Sequence, residues 1–309
     1  MTGLDFVKRN VDGRLAVPVQ GTMTSYVLTI VCPDRAGIVH AVTGMLVEHG
    51  GNILESQQFD DVAEHRFFMR VRFEVQDGSA DTGETLESLR AAFGPVAERF
   101  EMTWELWEAT APYRTLILVS KFSHCLNDLL FRAANGSLQI DVVGIVSNHP
   151  DCRALAEWYG VPYHHIPVTP ETKAEAEAKM LGLVESLGVH LVVLARYMQV
   201  LSDDTCRALE GRAINIHHSF LPSFKGARPY HQAFDRGVKL VGATAHYVTA
   251  DLDEGPIIEQ DVIRVDHAHT QDQLVAAGRD VEAQVLSRAV RWHAESRVLL
   301  NGHRTVVFR

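Results

Sequence analysis

The order of predicted strands and helices indicates two α/β domains joined by a short linker. Residues 24–109 follow a βαββαβ order, whereas from residue 113 onward apolar strands alternate with helices. The second pattern is typical of a parallel sheet that helices cover on both faces. Thr110-Ala111-Pro112 lies between the two patterns and is interpreted as the linker. A chain of 309 residues is long enough for two domains, each with its own core.

The first domain is predicted to be ferredoxin-like, because its six elements follow the βαββαβ order of that fold. Alternating apolar residues at Phe67, Met69 and Val71 mark its third strand. Met1–Met23 precedes the domain as an extension without clear periodicity. The six elements are predicted at Ser25–Cys32, Ile38–His49, Asn52–Phe59, His65–Val75, Thr82–Phe93 and Arg99–Trp107.

The second domain, residues 113–309, is predicted to contain a Rossmann-like, mostly parallel sheet. Strands are predicted at Thr115–Val119, Ile140–Val146, Tyr163–Ile166, His190–Ala195, Ala213–His217, Leu240–Val248 and Pro256–Arg264. Helices are predicted at Cys125–Ala134, Asp151–Tyr159, Glu171–Ser186, Pro229–Arg236 and Gln271–Leu299. Functional groups in such sheets gather at the carboxyl ends of the strands, so we expect a site there.

Composition excludes some classes of partner and indicates the cellular compartment. A net charge of −10 and the lack of a Lys/Arg-rich run argue against a nucleic-acid partner. No apolar segment reaches the roughly 18–20 residues that a membrane helix needs, and Met1–Met23 lacks the apolar core of a secretory signal. The four cysteines are far apart in the sequence, at Cys32, Cys125, Cys152 and Cys206. This spacing argues against a structural zinc site and favours reduced thiols, which are typical of a cytoplasmic protein.

Two polar residues interrupt the apolar pattern of the strand Ala213–His217. Asn215 and His217 are two positions apart, so on a strand they project from one face, roughly 6–7 Å from each other. Asp253 lies in a later acidic turn, Asp251–Pro256, that could bring a carboxylate to the same place. An amide donor, an imidazole and a carboxylate suit acyl chemistry. Structural roles as a turn cap, a core histidine and a turn residue remain the alternatives.

The first strand-to-helix turn, Cys32-Pro33-Asp34-Arg35-Ala36-Gly37-Ile38-Val39, together with the βαββαβ order, resembles the ACT domain family. This resemblance implies a regulatory module that commonly binds amino acids near the turn, with Asp34 and Gly37 as candidate positions. Backbone N–H groups at the start of the following helix could receive a carboxylate. The alternative is that Gly37 only eases the turn and the domain dimerises. Edge pairing of such sheets implies a homodimer or homotetramer.

Asn215-Ile216-His217-His218-Ser219-Phe220-Leu221-Pro222 resembles the Asn-x-His-x-Ser-Leu-Leu-Pro signature of folate-dependent formyltransferases. Asp251-Leu252-Asp253-Glu254-Gly255-Pro256 is similar to the second signature of that family. The resemblance covers about Arg114–Val265 and implies catalytic roles for Asn215, His217 and Asp253. It also implies a folate site at Met198, Gln199, Val200 and Leu201, facing a wall that includes Val248 and Asp251.

The acceptor of the formyl group is indicated by the segment Ser120–Asp128, which contains no glycine. A phosphate cradle needs close backbone approach, which glycine permits, so a ribonucleotide acceptor is not expected. An acidic chain without a basic C-terminal domain also fits a tRNA acceptor poorly. The domain order, with Ser-Lys-x-x-His-Cys-Leu and Gly226–Tyr230, resembles the formyltetrahydrofolate deformylase family. The resemblance implies that water is the acceptor, that formate and tetrahydrofolate are the products, and that the formate supplies purine synthesis and balances one-carbon folate pools.

Five further residues are predicted to support or gate the site, namely His124, Ser219, Arg228, Tyr230 and His246. Arg228 could instead contact the glutamate of the folate or form a surface ion pair. No cofactor is expected, because the folate is itself the substrate. No metal is expected either, because the chemistry does not require one and the histidines lack a matching ligand cluster. Two other functions stay open. One is a formyltransferase with an unidentified amine acceptor, and the other is a non-catalytic folate or amino-acid sensor.

Overall fold

A computed structural model describes residues 23–76, 85–222 and 229–309, and two separate sheets organise them. The first sheet is antiparallel and has four strands in the order β2-β3-β1-β4, with helices α1 and α2 packed on one face. This arrangement confirms the predicted ferredoxin-like fold. Of the predicted extension Met1–Met23, only Met23 is described, and it begins β1. The elements are β1 Met23–Pro33, α1 Ile38–Glu48, β2 Asn52–Asp61, β3 Arg66–Gln76, α2 Leu86–Arg99 and β4 Thr103–Glu108.

Helix α2 is longer than the sequence indicated. Thr85 caps it by accepting a hydrogen bond from the backbone N–H of Ser88, so the start lies later than the predicted Thr82, which is outside the described residues. The Gly94-Pro95 pair did not end the helix at Phe93. Phe93 and Ala97 are both buried against the sheet, and this packing carries the helix on to Arg99. The predicted strand at Arg99–Trp107 therefore begins only at Thr103.

The second sheet has seven strands in the order β11-β10-β9-β8-β5-β6-β7. Strands β5 to β9 pair with one another in parallel, whereas β10 pairs antiparallel with both β9 and β11. This confirms the predicted Rossmann-like, mostly parallel sheet. Its strands are β5 Tyr113–Val119, β6 Ile140–Ser147, β7 Tyr163–His165, β8 Leu191–Leu194, β9 Ala213–His217, β10 Leu240–Tyr247 and β11 Ile257–Arg264. Its helices are α3 His124–Ala134, α4 Arg153–Trp158, α5 Lys173–Ser186, α6 Asp203–Ala208, α7 Pro229–Asp235 and α8 Gln271–Ala294.

Alternation along the strands divides the core of the second domain into two layers. On β9, Ile214 and Ile216 belong to the layer that contains Val285 and Leu286 of α8. Ala213 belongs to the opposite layer, with residues of α5. Because side chains on a strand alternate between faces, Asn215 and His217 share the Ala213 face at the carboxyl end of the strand. Burial of the isoleucines thus fixes which way the two polar residues point.

The prediction of a helix over Gln271–Leu299 was wrong at its C-terminal end. Helix α8 ends at Ala294, and Ser296 adopts a left-handed φ of 53°. The chain then forms a hairpin of two strands, β12 Val298–Asn301 and β13 Arg304–Val307. Leu299 and Phe308 pack on Phe68, a fully buried residue of the first sheet. The C-terminal hairpin therefore docks the second domain onto the open face of the first. Among the described residues, no helix is long and apolar enough to span a membrane.

Candidate active site

Strand pairing places Asn215 between two neighbouring strands at the end of β9. Asn215 lies opposite Leu194 of β8 and opposite His246 of β10, and His217 lies opposite Thr244. His217 is 5% exposed, whereas Asn215 is half-buried. Both side chains line one cavity of about 710 Å³. The strand thus delivers a carboxamide and an imidazole to the same space.

Asp253 reaches this space from the turn between β10 and β11. Its Oδ1 lies 3.2 Å from Nδ1 of His217 and 3.7 Å from Nε2 of His246. The residue has a φ of 58°, in the left-handed region that non-glycine residues rarely adopt. Gly255 allows the turn to approach β10, since a Cβ there would lie 1.8 Å from the carbonyl oxygen of Tyr247. The turn geometry therefore holds the carboxylate against the two histidines.

His246 fixes the orientation of Asn215. Its Nδ1 lies 2.9 Å from the carbonyl oxygen of Tyr247, which can only accept, so Nδ1 carries the proton. In the neutral ring Nε2 is then an acceptor, and it lies 3.2 Å from Nδ2 of Asn215. Burial lowers the pKa of His246 and outweighs the opposing effects of the Tyr247 carbonyl and Asp253, which favours this neutral form. One amide proton of Asn215 is used by His246, and the other stays available to the cavity.

The charge of Asp253 is set by its histidine neighbours. Burial raises its pKa, but the hydrogen bond and charge of His217, with further contributions from His246 and His218, leave the pKa below its usual value. Asp253 is therefore a carboxylate at neutral pH. Nε2 of His217 is buried without a hydrogen-bond partner and belongs to a ring that lines the cavity. That nitrogen is available to a bound substrate.

The predicted folate segment forms one wall of the cavity. Met198, Gln199, Val200 and Leu201 line it together with Val248. Met198 and Val200 are about half exposed, which suits a wall that an apolar ligand would cover. The hydroxyl of Ser120 accepts a hydrogen bond from the Met198 N–H at 2.9 Å and holds this segment in place.

Two predicted site residues lie away from the cavity. The side chain of Asp251 is exposed and does not line it, although its backbone carbonyl accepts from Thr249. Ser219 is buried behind the lining, where its carbonyl oxygen accepts from Thr244. Arg228 lies outside the described residues. The signature motifs therefore predicted residues that are close in sequence but that do not all reach the cavity in the fold.

A buried carboxylate that the sequence analysis missed, Glu282, forms the centre of the opposite wall. It is 1% exposed and lies on α8. Nε2 of His124 donates to its Oε2 at 2.8 Å, and the hydroxyl of Tyr230 donates to its Oε1 at 2.7 Å. Nε of Arg196 lies 3.4 Å from Oε2. His124 and Tyr230, both predicted to support the site, therefore act on this wall by contacting a residue that was not predicted.

The charges on this wall are well defined. Burial raises the pKa of Glu282, but its bonds to His124 and Tyr230 and the charge of Arg196 hold the pKa below the usual value. His218 lies between the two walls, with ring centroids 5.2 Å from His217 and 6.3 Å from Tyr230. Burial, followed by the charge of Arg196, lowers the pKa of His218 to about 3. The wall thus contains an anion and a guanidinium, next to a neutral imidazole.

Glu282 and Arg196 were not predicted, although the sequence contains a weak signal for each. Glu282 falls on the apolar face of α8, one position after the buried Val281 and three before the buried Val285. An isolated acid on such a face is rarely buried unless it is paired. Arg196 follows the buried strand β8 at its carboxyl end, where functional groups gather. Neither signal indicates its partners, which come from distant segments.

One group of potential metal ligands exists among the described residues. His124, Cys125 and Glu282 each place a ligand atom within 4.8 Å of the others. Burial raises the pKa of the Cys125 thiol well above its usual value, so the thiolate that binds metals is disfavoured. Glu282 already accepts two hydrogen bonds beside Arg196. This arrangement is therefore better suited to an ion-pair network than to a bound cation.

The predicted effector positions lie in the first domain, at the turn into α1. Gly37 has a φ of 96° and precedes the helix, where its carbonyl accepts from Ala41. The backbone N–H of Asp34 donates to His65, and the side chain of Asp34 is exposed. Glycine suits this position, because a residue with a side chain would be strained at that φ. An amino-acid effector at this turn stays a prediction.

Comparison with known proteins agrees with this architecture. The ACT domain model matches residues 26–94, and the formyl transferase model matches residues 113–290. The crystal structure of glycinamide ribonucleotide transformylase 1 from Symbiobacterium toebii has a TM-score of 0.61 at 30% identity, over 66% of this chain and 98% of that one. The second domain therefore defines the chain as a member of the formyl transferase class.

Relatives that span both domains are more similar. Formyltetrahydrofolate deformylase from Corynebacterium sp. (strain P-1) is 58% identical, over 92% of this chain and 98% of its own length. The protein of the same name from Bacillus subtilis is 49% identical, over 91% and 93%. A formyltetrahydrofolate deformylase crystal structure from Burkholderia mallei has a TM-score of 0.87 at 55% identity, over 93% of this chain and all of that one. The chain belongs to the formyltetrahydrofolate deformylase family.

Proposed function

We propose that the protein hydrolyses 10-formyltetrahydrofolate to formate and tetrahydrofolate. Membership of the deformylase family supports this reaction. The observation that carries the mechanism is the contact of 3.2 Å between His217 and Asp253, beside Asn215, in a cavity of about 710 Å³. This set combines hydrogen-bond donors for a developing oxyanion with a carboxylate that accepts a proton.

The pterin ring is proposed to lie between residues 197–201 and residues 248–252. Met198, Val200 and Leu252 present apolar side chains at this part of the cavity. Backbone groups of such segments supply hydrogen bonds that distinguish a pterin from a simple apolar ligand. The substituent on N10 would then reach towards His217 and Asp253 at the inner end. This placement leaves the formyl carbon next to the polar groups.

Water is proposed to attack the formyl carbon with Asp253 as the base. The new C–O bond forms as the water proton moves to the carboxylate, and the carbonyl electron pair moves onto oxygen. Asn215 Nδ2–H and a protonated His217 at Nε2 stabilise that oxyanion, and the loss of one such donor typically costs about 3–4 kcal/mol of barrier. Collapse then breaks the bond from carbon to N10. The proton returns to N10, and formic acid ionises to formate.

The deciding experiment is an assay of formate and tetrahydrofolate release from 10-formyltetrahydrofolate without added amine. The isosteric Asp253→Asn variant is the matched control, because it keeps the shape of the turn and removes the base. We expect release by the wild type to exceed that of the variant by at least about 10²-fold. Equal rates for the two proteins would contradict the proposal. Turnover that appears only when an amine is supplied would instead support a formyltransferase.

The wider role is also proposed. Release of formate would supply purine synthesis and balance the pool of one-carbon folates. The ACT domain would adjust this activity by binding an amino acid near Asp34 and Gly37, and copies of the chain would pair through the edges of its sheet in a dimer or tetramer. Calorimetry with glycine, methionine and other amino acids tests the effector, and an absence of heat would leave the domain as an assembly module.

A further inference from the structure

Arg196 is a buried cation with unused hydrogen-bonding capacity at the inner end of the cavity. It is 8% exposed and lines the cavity. Its Nε and Nη1 atoms are buried without a hydrogen-bond partner. A guanidinium offers five N–H donors, and a buried donor without an acceptor destabilises the folded protein because it has lost its hydrogen bond to water. The side chain is therefore incompletely matched by the protein.

Glu282 does not satisfy Arg196 on its own. The 3.4 Å separation between Nε of Arg196 and Oε2 of Glu282 is an ion-pair contact without hydrogen-bond geometry. Each carboxylate oxygen already accepts one hydrogen bond, Oε1 from Tyr230 and Oε2 from His124, and neither is aligned with the Arg196 N–H groups. The anion thus lowers the cost of burying the guanidinium but leaves its donors unpaired.

The surrounding charges make this end of the cavity attractive to an anion. The guanidinium carbon of Arg196 lies 5.7 Å from the centre of the Phe122 ring, and that of Arg279, an exposed cavity residue, lies 5.1 Å from the same ring. His218 is held neutral, so it adds no positive charge. Arg196, Arg279 and Glu282 together carry a net positive charge at the Phe122 end of the cavity, while the Asp253 carboxylate lies on the opposite wall beside His217.

The backbone conformation of Arg196 indicates that its side chain has a role beyond folding. Its φ is 65°, a left-handed conformation that carries an energetic cost for a non-glycine residue. Glycine would remove that cost, and it would also remove an incompletely paired buried charge. An arginine at such a position is disfavoured for folding alone.

We propose that Arg196 anchors a carboxylate-binding subsite in the cavity, and that its ligand is the formate released by hydrolysis. The inference rests on the proposed function for the identity of that ligand. Formate is a planar anion whose two oxygens match the paired N–H groups of a guanidinium. Binding there would separate the product from the Asn215, His217 and Asp253 side chains. The terminal glutamate of the folate offers the same carboxylate chemistry and is the competing source.

The test is a titration of the full-length protein, loaded with tetrahydrofolate in chloride-free buffer, with ¹³C-labelled formate observed by NMR. Arg196→Gly is the main variant, because glycine tolerates the local backbone and should leave the fold intact. Arg196→Lys keeps the charge but loses the fork of donors. Arg279→Gln is the matched control, since it removes a guanidinium near the same Phe122 ring. We expect formate affinity to fall at least about tenfold in Arg196→Gly, less in Arg196→Lys and less than about threefold in Arg279→Gln.

A second measurement separates the two sources of carboxylate. If the folate glutamate is the ligand, Arg196→Gly raises KM for 10-formyltetrahydrofolate but not for a formylated pteroate that lacks glutamate, and formate affinity is unchanged. That result keeps the subsite but overturns formate as its ligand. Unchanged formate affinity together with unchanged KM for both substrates overturns the subsite. The titration needs no turnover. A wild-type protein that binds added formate but produces none from 10-formyltetrahydrofolate would therefore count against the proposed function alone.

Discussion

Asn215 and His246 face each other across the antiparallel pair β9–β10, with Nδ2 of Asn215 3.2 Å from Nε2 of His246. His246 is in turn fixed by the Tyr247 carbonyl, 2.9 Å from its Nδ1. A carboxamide can rotate by half a turn and exchange its donor and acceptor. The neutral His246 ring removes that freedom, because its Nε2 can only accept. The amide group of Asn215 is therefore preorganised to present N–H to the cavity.

This relationship predicts that His246→Ala lowers kcat without destroying the fold. Asn215 would lose the acceptor that orients it, so part of the stabilisation of the oxyanion would be lost. We expect kcat to fall about tenfold, less than the 10²–10³-fold typical of removing an oxyanion donor itself, with KM little changed. Steady-state kinetics of His246→Ala beside Asn215→Ala check this order. An equal loss in both variants would show that His246 does more than position Asn215.

The sequence allowed the prediction of Asn215, His217 and Asp253 because each lies in a short, ordered motif. It did not predict Glu282 or its contacts. His124, Arg196, Tyr230 and Glu282 come from four segments spread over some 160 residues, and only the tertiary fold brings them to one wall. No local periodicity encodes such a contact. The polar partners of a buried acid must be read from the fold.

The fold class was predictable for a similar reason, and the C-terminal hairpin was not. Strand and helix periods set the order of elements in both domains. At the end of α8, however, Val298-Leu299-Leu300 continues an apolar pattern that fits a helix or a strand equally well. The break depends on Ser296 in a left-handed conformation and on burial of Leu299 against Phe68. Packing between the domains therefore decided that boundary.

Gly255→Ala is predicted to abolish most activity. A Cβ at residue 255 would lie 1.8 Å from the Tyr247 carbonyl oxygen, so the turn that carries Asp253 must move away from β10. A displacement of about 1 Å at a reacting group can cost about 10²-fold in rate. Gly182→Ala is the control, because nothing lies within 4 Å of that position on α5 and alanine favours a helix. Formate release by both variants, with circular dichroism to verify folding, tests the prediction. Similar rates in both would contradict it.

Burial of His293 is expected to lower the free energy of unfolding at mildly acid pH. Burial lowers its pKa to about 4, while an unfolded histidine titrates near 6.5. Between these values the unfolded chain binds more protons than the folded one, so the free energy of unfolding falls as pH falls from about 6.5 towards 4. His293→Gln keeps an acceptor for the Tyr247 hydroxyl, 2.7 Å away, and cannot titrate.

Urea unfolding at pH 7.5 and pH 5.0 measures this effect. We expect the wild type to lose about 1–2 kcal/mol more than His293→Gln between the two pH values. His303→Gln is the control, because His303 is exposed in the turn of the C-terminal hairpin and should behave like the wild type. A variant that loses as much stability as the wild type would show that His293 is not the group responsible.

Arg70 is predicted to hold the two domains together. Its side chain is 3% exposed, pairs with Glu55 at 2.9 Å, and donates through Nε and Nη2 to the carbonyl oxygen of Glu295 just after α8. Arg70→Met would leave that carbonyl without its donors and remove one of two guanidiniums on Glu55. Arg297 still pairs with Glu55 at 3.0 Å and the Glu55 side chain is 30% exposed, so the cost should be that of the unsatisfied Glu295 carbonyl, about 1–3 kcal/mol.

Arg72→Met is the matched control, because Arg72 lies on the same strand, is exposed and donates through Nε to the Ser25 hydroxyl at 3.2 Å. We expect its unfolding free energy to stay within about 0.5 kcal/mol of the wild type. Limited proteolysis should cut Arg70→Met faster than Arg72→Met at Thr110-Ala111-Pro112, between β4 and β5, since we expect that segment to open when the hairpin leaves the first sheet. Equal unfolding free energies and equal cleavage rates in the two variants would mean that the apolar contact of Phe68 with Leu299 and Phe308 suffices to dock the domains.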